Sequence, residues 1–194
     1  KPKWKPANYT KRFYGPSIMR VGIEKSRNLM TARLAMTIGM DRVQDYAKRF
    51  GLNDDLPPFL SMSLGAGETT LLRLTSAYGM LVNGGRKITP SLIDRIQDRH
   101  GKTIYRHDAR DCGSCVAPDG WSNQPIPTLP DTREQLTDPA SAFQMVSMLE
   151  GVIKRGTGRS INDLDLVVAG KTGTTNDNTN GWFIGFTPDL AIGV

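Results

Sequence analysis

Two short stretches of this chain hold residue types and spacings that could do chemistry. The first is Lys171-Thr172-Gly173-Thr174, which closes the apolar or small run of residues 166–170. A short apolar run bounded by glycine reads as a buried strand. Its polar end offers a compact cation, two hydroxyls and a glycine that lets a ligand approach the backbone. Residues two apart in a strand share a side, so Lys171 and Gly173 face one way and the two threonines the other, unless the strand twists. A free strand edge pairs with an extended peptide, and a backbone N–H there could help hold an oxyanion. The second stretch is Ser26-Arg27-Asn28. If that segment is extended, a hydroxyl able to pass a proton and an amide able to hold a carbonyl face one cleft. Both residues are also good helix N-caps, so capping is the competing role. Ser160-Ile161-Asn162 has the same pattern but lies too close in sequence to Lys171 to come easily from an opposite wall.

Other chemistries lose their footing on the same residues. A phosphate loop ending at Gly170-Lys171-Thr172 needs a glycine at position 165, and Asp165 stands there. No dinucleotide fingerprint follows a predicted strand. Cys112 and Cys115 are the only cysteines, and His100 and His107 the only histidines. A lone C-x-x-C is ambiguous, and a zinc site would need two more ligands. The flanking Asp, Gly, Pro and Ser do not resemble a thioredoxin-type strand-to-helix corner, so a loop-pinning disulfide in an oxidising compartment is expected. No metal and no cofactor are expected.

The elements that must position the two stretches can be read in order. Residues 1–20 are basic, aromatic and proline-containing, and look extended. Helices are predicted over 18–23, 29–40 and from Asp41, taken as a cap, to Phe50. In the last of these Val43, Tyr46, Ala47 and Phe50 form one apolar face, and Gly51 ends it. Residues 52–68 are irregular. A helix over 69–82 turns Leu71, Leu74, Tyr78 and Val82 inward. Strands over 92–96 and 103–105 flank a His100-Gly101-Lys102 turn. Residues 108–138 form a loop-like insertion with both cysteines. A helix over 139–154 places Ala142, Val146, Leu149 and Ile153 on one face. The lysine strand, a strand over 182–186 and a last strand from 190 follow, joined by short turns. Helices packed on an antiparallel sheet make an α+β fold.

With 194 residues the chain is one large domain or most of one. The net charge of +6 bears on partners and not on fold. Lys1, Lys3, Lys5, Lys11 and Arg12 lie around Trp4 and Tyr9 like a nucleic-acid strip. No recognised nucleic-acid motif follows, so no nucleic-acid partner is expected. No apolar run reaches the roughly 20 residues of a membrane span. The absence of a leader and the truncated look of the last strand predict a fragment at both ends.

S-x-N followed well downstream by K-T-G are two of the three signatures of the serine penicillin-recognising enzymes. The third, S-x-x-K, is absent: three places after Ser17, Ser91 and Ser147 stand Arg20, Asp94 and Glu150, and no other serine fits. The chain resembles the transpeptidase domain of the class A penicillin-binding proteins, most like the 1A type, over nearly its whole length outside 108–138. The resemblance rests on Trp4-x-Pro6-x-Asn8-Tyr9, Ser26-Arg27-Asn28, Gly65-Ala66-Gly67-Glu68-Thr69-Thr70, Arg155-Gly156-Thr157-Gly158-Arg159, residues 169–175, and Trp182-Phe183-Ile184-Gly185-Phe186-Thr187-Pro188 in this order.

That resemblance implies a penicillin-binding protein/β-lactamase-like fold, with residues 1–194 as the C-terminal part of the domain. It implies a cell-wall enzyme at the outer face of the bacterial cytoplasmic membrane, cross-linking peptidoglycan stem peptides that end in D-Ala-D-Ala. It also implies an acyl-enzyme intermediate, with β-lactams as mimics of the substrate. Catalytic roles fall to Ser26 as proton relay, Asn28 as holder of the substrate amide, and Lys171 as orienter of Ser26. Thr172 and Thr174 would bind the terminal carboxylate, beside Gly173, and the Thr174 N–H would form half of the oxyanion hole. The nucleophile, a glycosyltransferase domain and a membrane anchor are expected upstream of Lys1, so these residues alone should not acylate. The alternatives are a non-catalytic peptide- or partner-binding module of the same fold, and a D,D-carboxypeptidase or β-lactamase.

Overall fold

The structure is a computed structural model, and it describes residues 4–110, 123, 125, 129–164, 166–175 and 179–194. In chain order the elements are α1 (Met19–Glu24), α2 (Asn28–Ile38), α3 (Met40–Arg49), a 3-10 turn (Leu60–Leu64), α4 (Leu71–Val82), β1 (Arg95–Gln97), β2 (Thr103–Arg106), α5 (Pro139–Arg155), a second 3-10 turn (Arg159–Leu164), β3 (Ala169–Thr174), β4 (Gly181–Phe186) and β5 (Ala191–Gly193). They fall into two compact units, residues 1–88 with 135–194, and residues 89–134.

In the larger unit β3, β4 and β5 form an antiparallel sheet in that order. Lys171 lies opposite Ile184 and Thr172 opposite Phe183. One edge of β3 therefore pairs with no strand among the described residues. Helix α5 packs on β3, and α1 and α4 pack on α5. The end of α5 is buried nearly all round, through Met148, Leu149, Gly151, Val152 and Ile153. The single apolar face expected from sequence understates this, because α5 is covered on more than one side.

Helix α4 shows a clearer departure. The expected inward residue Leu71 is 38% exposed, and the buried ones are Ala77, Gly79 and Met80. Ala77 and Met80 join a core cluster with Phe50 and Leu136. Tyr78 and Val82 instead pack on Leu149, Val152, Ala169 and Phe186. The helix divides two clusters, so no single stripe describes it. Thr70 starts it, its hydroxyl accepting from the Arg73 N–H at 3.2 Å. Thr70→Ala should cost about 1 kcal/mol. Thermal unfolding should then show a drop of about 2–4 °C.

Helix α3 keeps only part of the predicted face: Ala47 and Phe50 are buried and Val43 is half-buried, whereas Tyr46 is 47% exposed, its ring stacked on Phe50 at the surface. Gly51 takes φ 67° directly after it, as a helix-ending glycine does. Asp41 is not its cap: Gly39 at φ 88° holds that position, and Asp41 lies in the first turn. There its carboxylate suits the positive helix end.

The smaller unit contains the predicted hairpin, although β1 begins at Arg95 and not at Leu92. The Asp98 carboxylate accepts from the N–H groups of His100 and Lys102, and Gly101 takes φ 83° in the turn. Cys112 and Cys115, and with them the expected disulfide, lie outside the described residues.

Candidate active site

Ser26 sits at the corner between α1 and α2, with φ 51°. A non-glycine residue in the left-handed region costs on the order of 1 kcal/mol or more and persists only where its surroundings hold it. Here they do. The Ser26 N–H donates to the Ile23 carbonyl at 3.1 Å, and the Arg27 N–H to the Gly22 carbonyl at 2.8 Å. The Arg27 guanidinium lies 3.9 Å over the Tyr14 ring and donates to the Ser17 hydroxyl at 2.9 Å.

Neither Ser26 nor Asn28 caps α2. Arg27 occupies the cap position, and its side chain makes no capping bond. A residue from the N-terminal segment does that work, where the expected extended course is broken by a turn closed by the Lys11 N–H on the Asn8 carbonyl at 2.8 Å: the Asn8 side-chain oxygen accepts from the Leu29 N–H at 3.2 Å. Asn28 is already helical, and its amide donates to the Ala7 carbonyl at 2.9 Å. The extended segment that would turn Ser26 and Asn28 into one cleft is therefore replaced by a tight corner. Ser26 lines a cleft of about 340 Å³ with Asn8, Tyr9, Thr10, Tyr14, Lys25 and Arg27. Two cations and no acid line it, so it favours negative charge.

Lys171 reaches this corner from β3. Its ammonium donates to the Ser26 Oγ at 2.9 Å and to the Thr172 carbonyl at 2.8 Å. Burial pushes its pKa below the ordinary lysine value. Thr172 points to the other side of the strand, where its Oγ1 lies 2.7 Å from the Thr157 Oγ1. Thr174 is exposed at the strand end. At Gly173 an added Cβ would meet nothing of the chain nearer than the Trp182 carbonyl at 3.9 Å. Internal packing does not demand glycine there.

A buried acid fixes the frame behind these residues, and the sequence reading did not single it out. Glu24 is 4% exposed at the end of α1. Its carboxylate accepts from Arg155 at 2.6 Å, with Arg20 at 3.9 Å. The Glu24 carbonyl accepts from the Thr157 N–H at 3.1 Å. Lys25 donates to the Arg155 carbonyl. The available signal was one acid ending an apolar helix while glycines recur in residues 151–158. A Cβ at Gly151 would sit 2.0 Å from the Glu24 carboxylate, and one at Gly156 would sit 2.2 Å from its carbonyl.

Chemically, a serine hydroxyl held by an ammonium at an unpaired strand edge can relay a proton beside an extended, anionic ligand. Among the described residues no three or more His, Cys, Asp or Glu gather as a metal site would require.

Residues 1–192 match the family model "Penicillin binding protein transpeptidase domain". Penicillin-binding protein 1A of Rickettsia bellii is 47% identical over 99% of this chain and 24% of its own length. Penicillin-binding protein 1A of Neisseria meningitidis is 36% identical over 98% and 22%. The chain thus spans about a quarter of the length of the curated relatives it matches. The crystal structure of penicillin-binding protein 1A from Haemophilus influenzae is similar with a TM-score of 0.78 at 28% identity, over 96% of this chain and 30% of that one. PonA1 from Mycobacterium tuberculosis in complex with penicillin V gives a TM-score of 0.72 at 20% identity, over 96% and 49%, a likeness of fold.

Proposed function

Since the chain belongs to the penicillin binding protein transpeptidase domain family, we propose that residues 1–194 form the C-terminal part of a serine-type D,D-transpeptidase domain. The parent cross-links peptidoglycan stem peptides at the outer face of the bacterial cytoplasmic membrane and is acylated by β-lactams. The observation that carries this reading is the 2.9 Å bond from the Lys171 ammonium to the Ser26 hydroxyl, made between residues 145 apart.

In the proposed mechanism a serine outside this chain attacks the penultimate D-alanine of a stem peptide ending in D-Ala-D-Ala. The peptide lies along the free edge of β3 as an added strand. Ser26 passes a proton toward the departing D-alanine, and Lys171 orients it. Thr172 and Thr174 hold the terminal carboxylate, and the Thr174 N–H supplies half of the oxyanion hole. Asn28 holds the substrate amide once its side chain leaves the Ala7 carbonyl.

The test is labelling with a fluorescent penicillin. The full-length protein should carry the label covalently, and residues 1–194 alone should not. The Lys171–Ser26 pair also has the make-up of a serine–lysine nucleophile and base. A label found on Ser26 in the 194-residue chain would favour that second reading and overturn the relay role.

A further inference from the structure

Thr157 lies outside both motifs, yet it touches the frame of each. Its N–H donates to the carbonyl of Glu24, two residues before Ser26. Its hydroxyl lies 2.7 Å from that of Thr172, the residue after Lys171. The Lys171–Ser26 bond closes the circuit. A continuous ring therefore runs from Ser26 back along the chain to Glu24, across to Thr157, across to Thr172, back to Lys171 and across to Ser26.

Hydroxyl chemistry gives the ring a direction. A carboxylate only accepts hydrogen bonds, so a Thr172 that binds one must donate its own proton to it. The Thr172 oxygen then accepts from Thr157. In that bound arrangement the Thr157 hydroxyl is the donor of the pair, which leaves the Thr172 O–H for the carboxylate. Without it the Thr172 hydroxyl turns freely and must be ordered when ligand binds.

We propose that Thr157 is a positioning residue that sets the Thr172 hydroxyl for the terminal carboxylate of the substrate. This rests on the reading of Thr172 as a carboxylate holder given under the proposed function.

The experiment uses the full-length protein, with a penicillin carrying its free carboxylate and the methyl ester of the same penicillin. Thr157→Val keeps the shape and removes the hydroxyl. It should lower the second-order acylation rate with the free acid about 3- to 10-fold, the worth of one hydrogen bond between neutral groups. The rate with the ester should change less than about twofold, and Thr157→Ser should restore the preference for the acid. Thr157 is exposed, so both variants should melt with the wild type. Equal losses with acid and ester would make Thr157 a merely structural residue, and no loss with either would remove its role; each overturns the proposal. A wild-type protein that acylates equally fast with acid and ester would instead overturn carboxylate binding by Thr172, a result distinguishable from the other two.

Discussion

Lys171→Met is expected to slow acylation of the full-length protein by penicillin about 100- to 1,000-fold, the usual effect of losing one aimed donor in a site of this kind. Methionine keeps the chain length and apolar stem, so β3 and its pairing with β4 should persist. Only the ammonium bonds to Ser26 and to the Thr172 carbonyl disappear. An unchanged rate, measured by stopped-flow or by time-resolved labelling, would take Lys171 out of the site.

The same residue gives a pH signature. Burial lowers its pKa from 10.5, so in the folded protein it loses its proton at a lower pH than in the unfolded chain. Between the lowered value and 10.5 the unfolded chain binds more protons, and stability rises with pH in that window. Below the window the cost of burying the cation is constant. Urea unfolding of wild type and Lys171→Met across alkaline pH should therefore show a difference that is flat and then moves in favour of the wild type as pH rises. Acylation should fall over the same window if the cationic form is the one that works. A stability difference independent of pH up to 10.5 would contradict the buried lysine.

Gly156→Ala should be the most damaging small substitution behind the site. The added Cβ would lie 2.2 Å from the Glu24 carbonyl oxygen, and 2.7 Å from both the Cα and the carbonyl oxygen of Val152. All three are backbone atoms, so no side chain can rotate away. Gly156 itself has φ −104° and ψ −149°, an extended conformation open to alanine, and the cost is therefore steric. Overpacking of this kind costs about 1–3 kcal/mol. The atom that must yield is the Glu24 carbonyl, which carries the Thr157 N–H bond and precedes Ser26 by two residues. A misplacement of about 1 Å near reacting groups can cost 100-fold in rate. We therefore expect a lower melting temperature together with an acylation rate reduced by about 10- to 100-fold. Gly15→Ala is the control, because a Cβ there meets nothing within 4 Å. Equal behaviour of the two variants would show that the close approach of α1 and α5 does not hold the Ser26 corner.

Much of the fold was legible because local rules govern it. The Ala47 and Phe50 part of the α3 face, the glycine after it, the hairpin around Gly101 and the three late strands each depend on residues a few positions apart, and each stands within a few residues of its expected place. Lys171-Thr172-Gly173-Thr174 was legible as a strand end for the same reason. The polar frame was less so. Glu24 is an acid in a six-residue helix until α5 brings Arg155 to it across 131 positions. The N-terminus of α2 looked capped from within, whereas Asn8 caps it from 21 residues away.

By itself, then, the sequence determined the α+β class, the helix and strand periods and the two motifs that make a penicillin-recognising site expected. Tertiary structure alone decided that Lys171 reaches Ser26, that Ser26 takes a left-handed corner while the Asn28 amide turns to Ala7, and that Thr157 joins both walls. The physical reason is range. Periodicity and turn chemistry are fixed by neighbours along the chain, whereas a hydrogen bond between residues 145 apart exists only once burial has brought α1, α5 and β3 together.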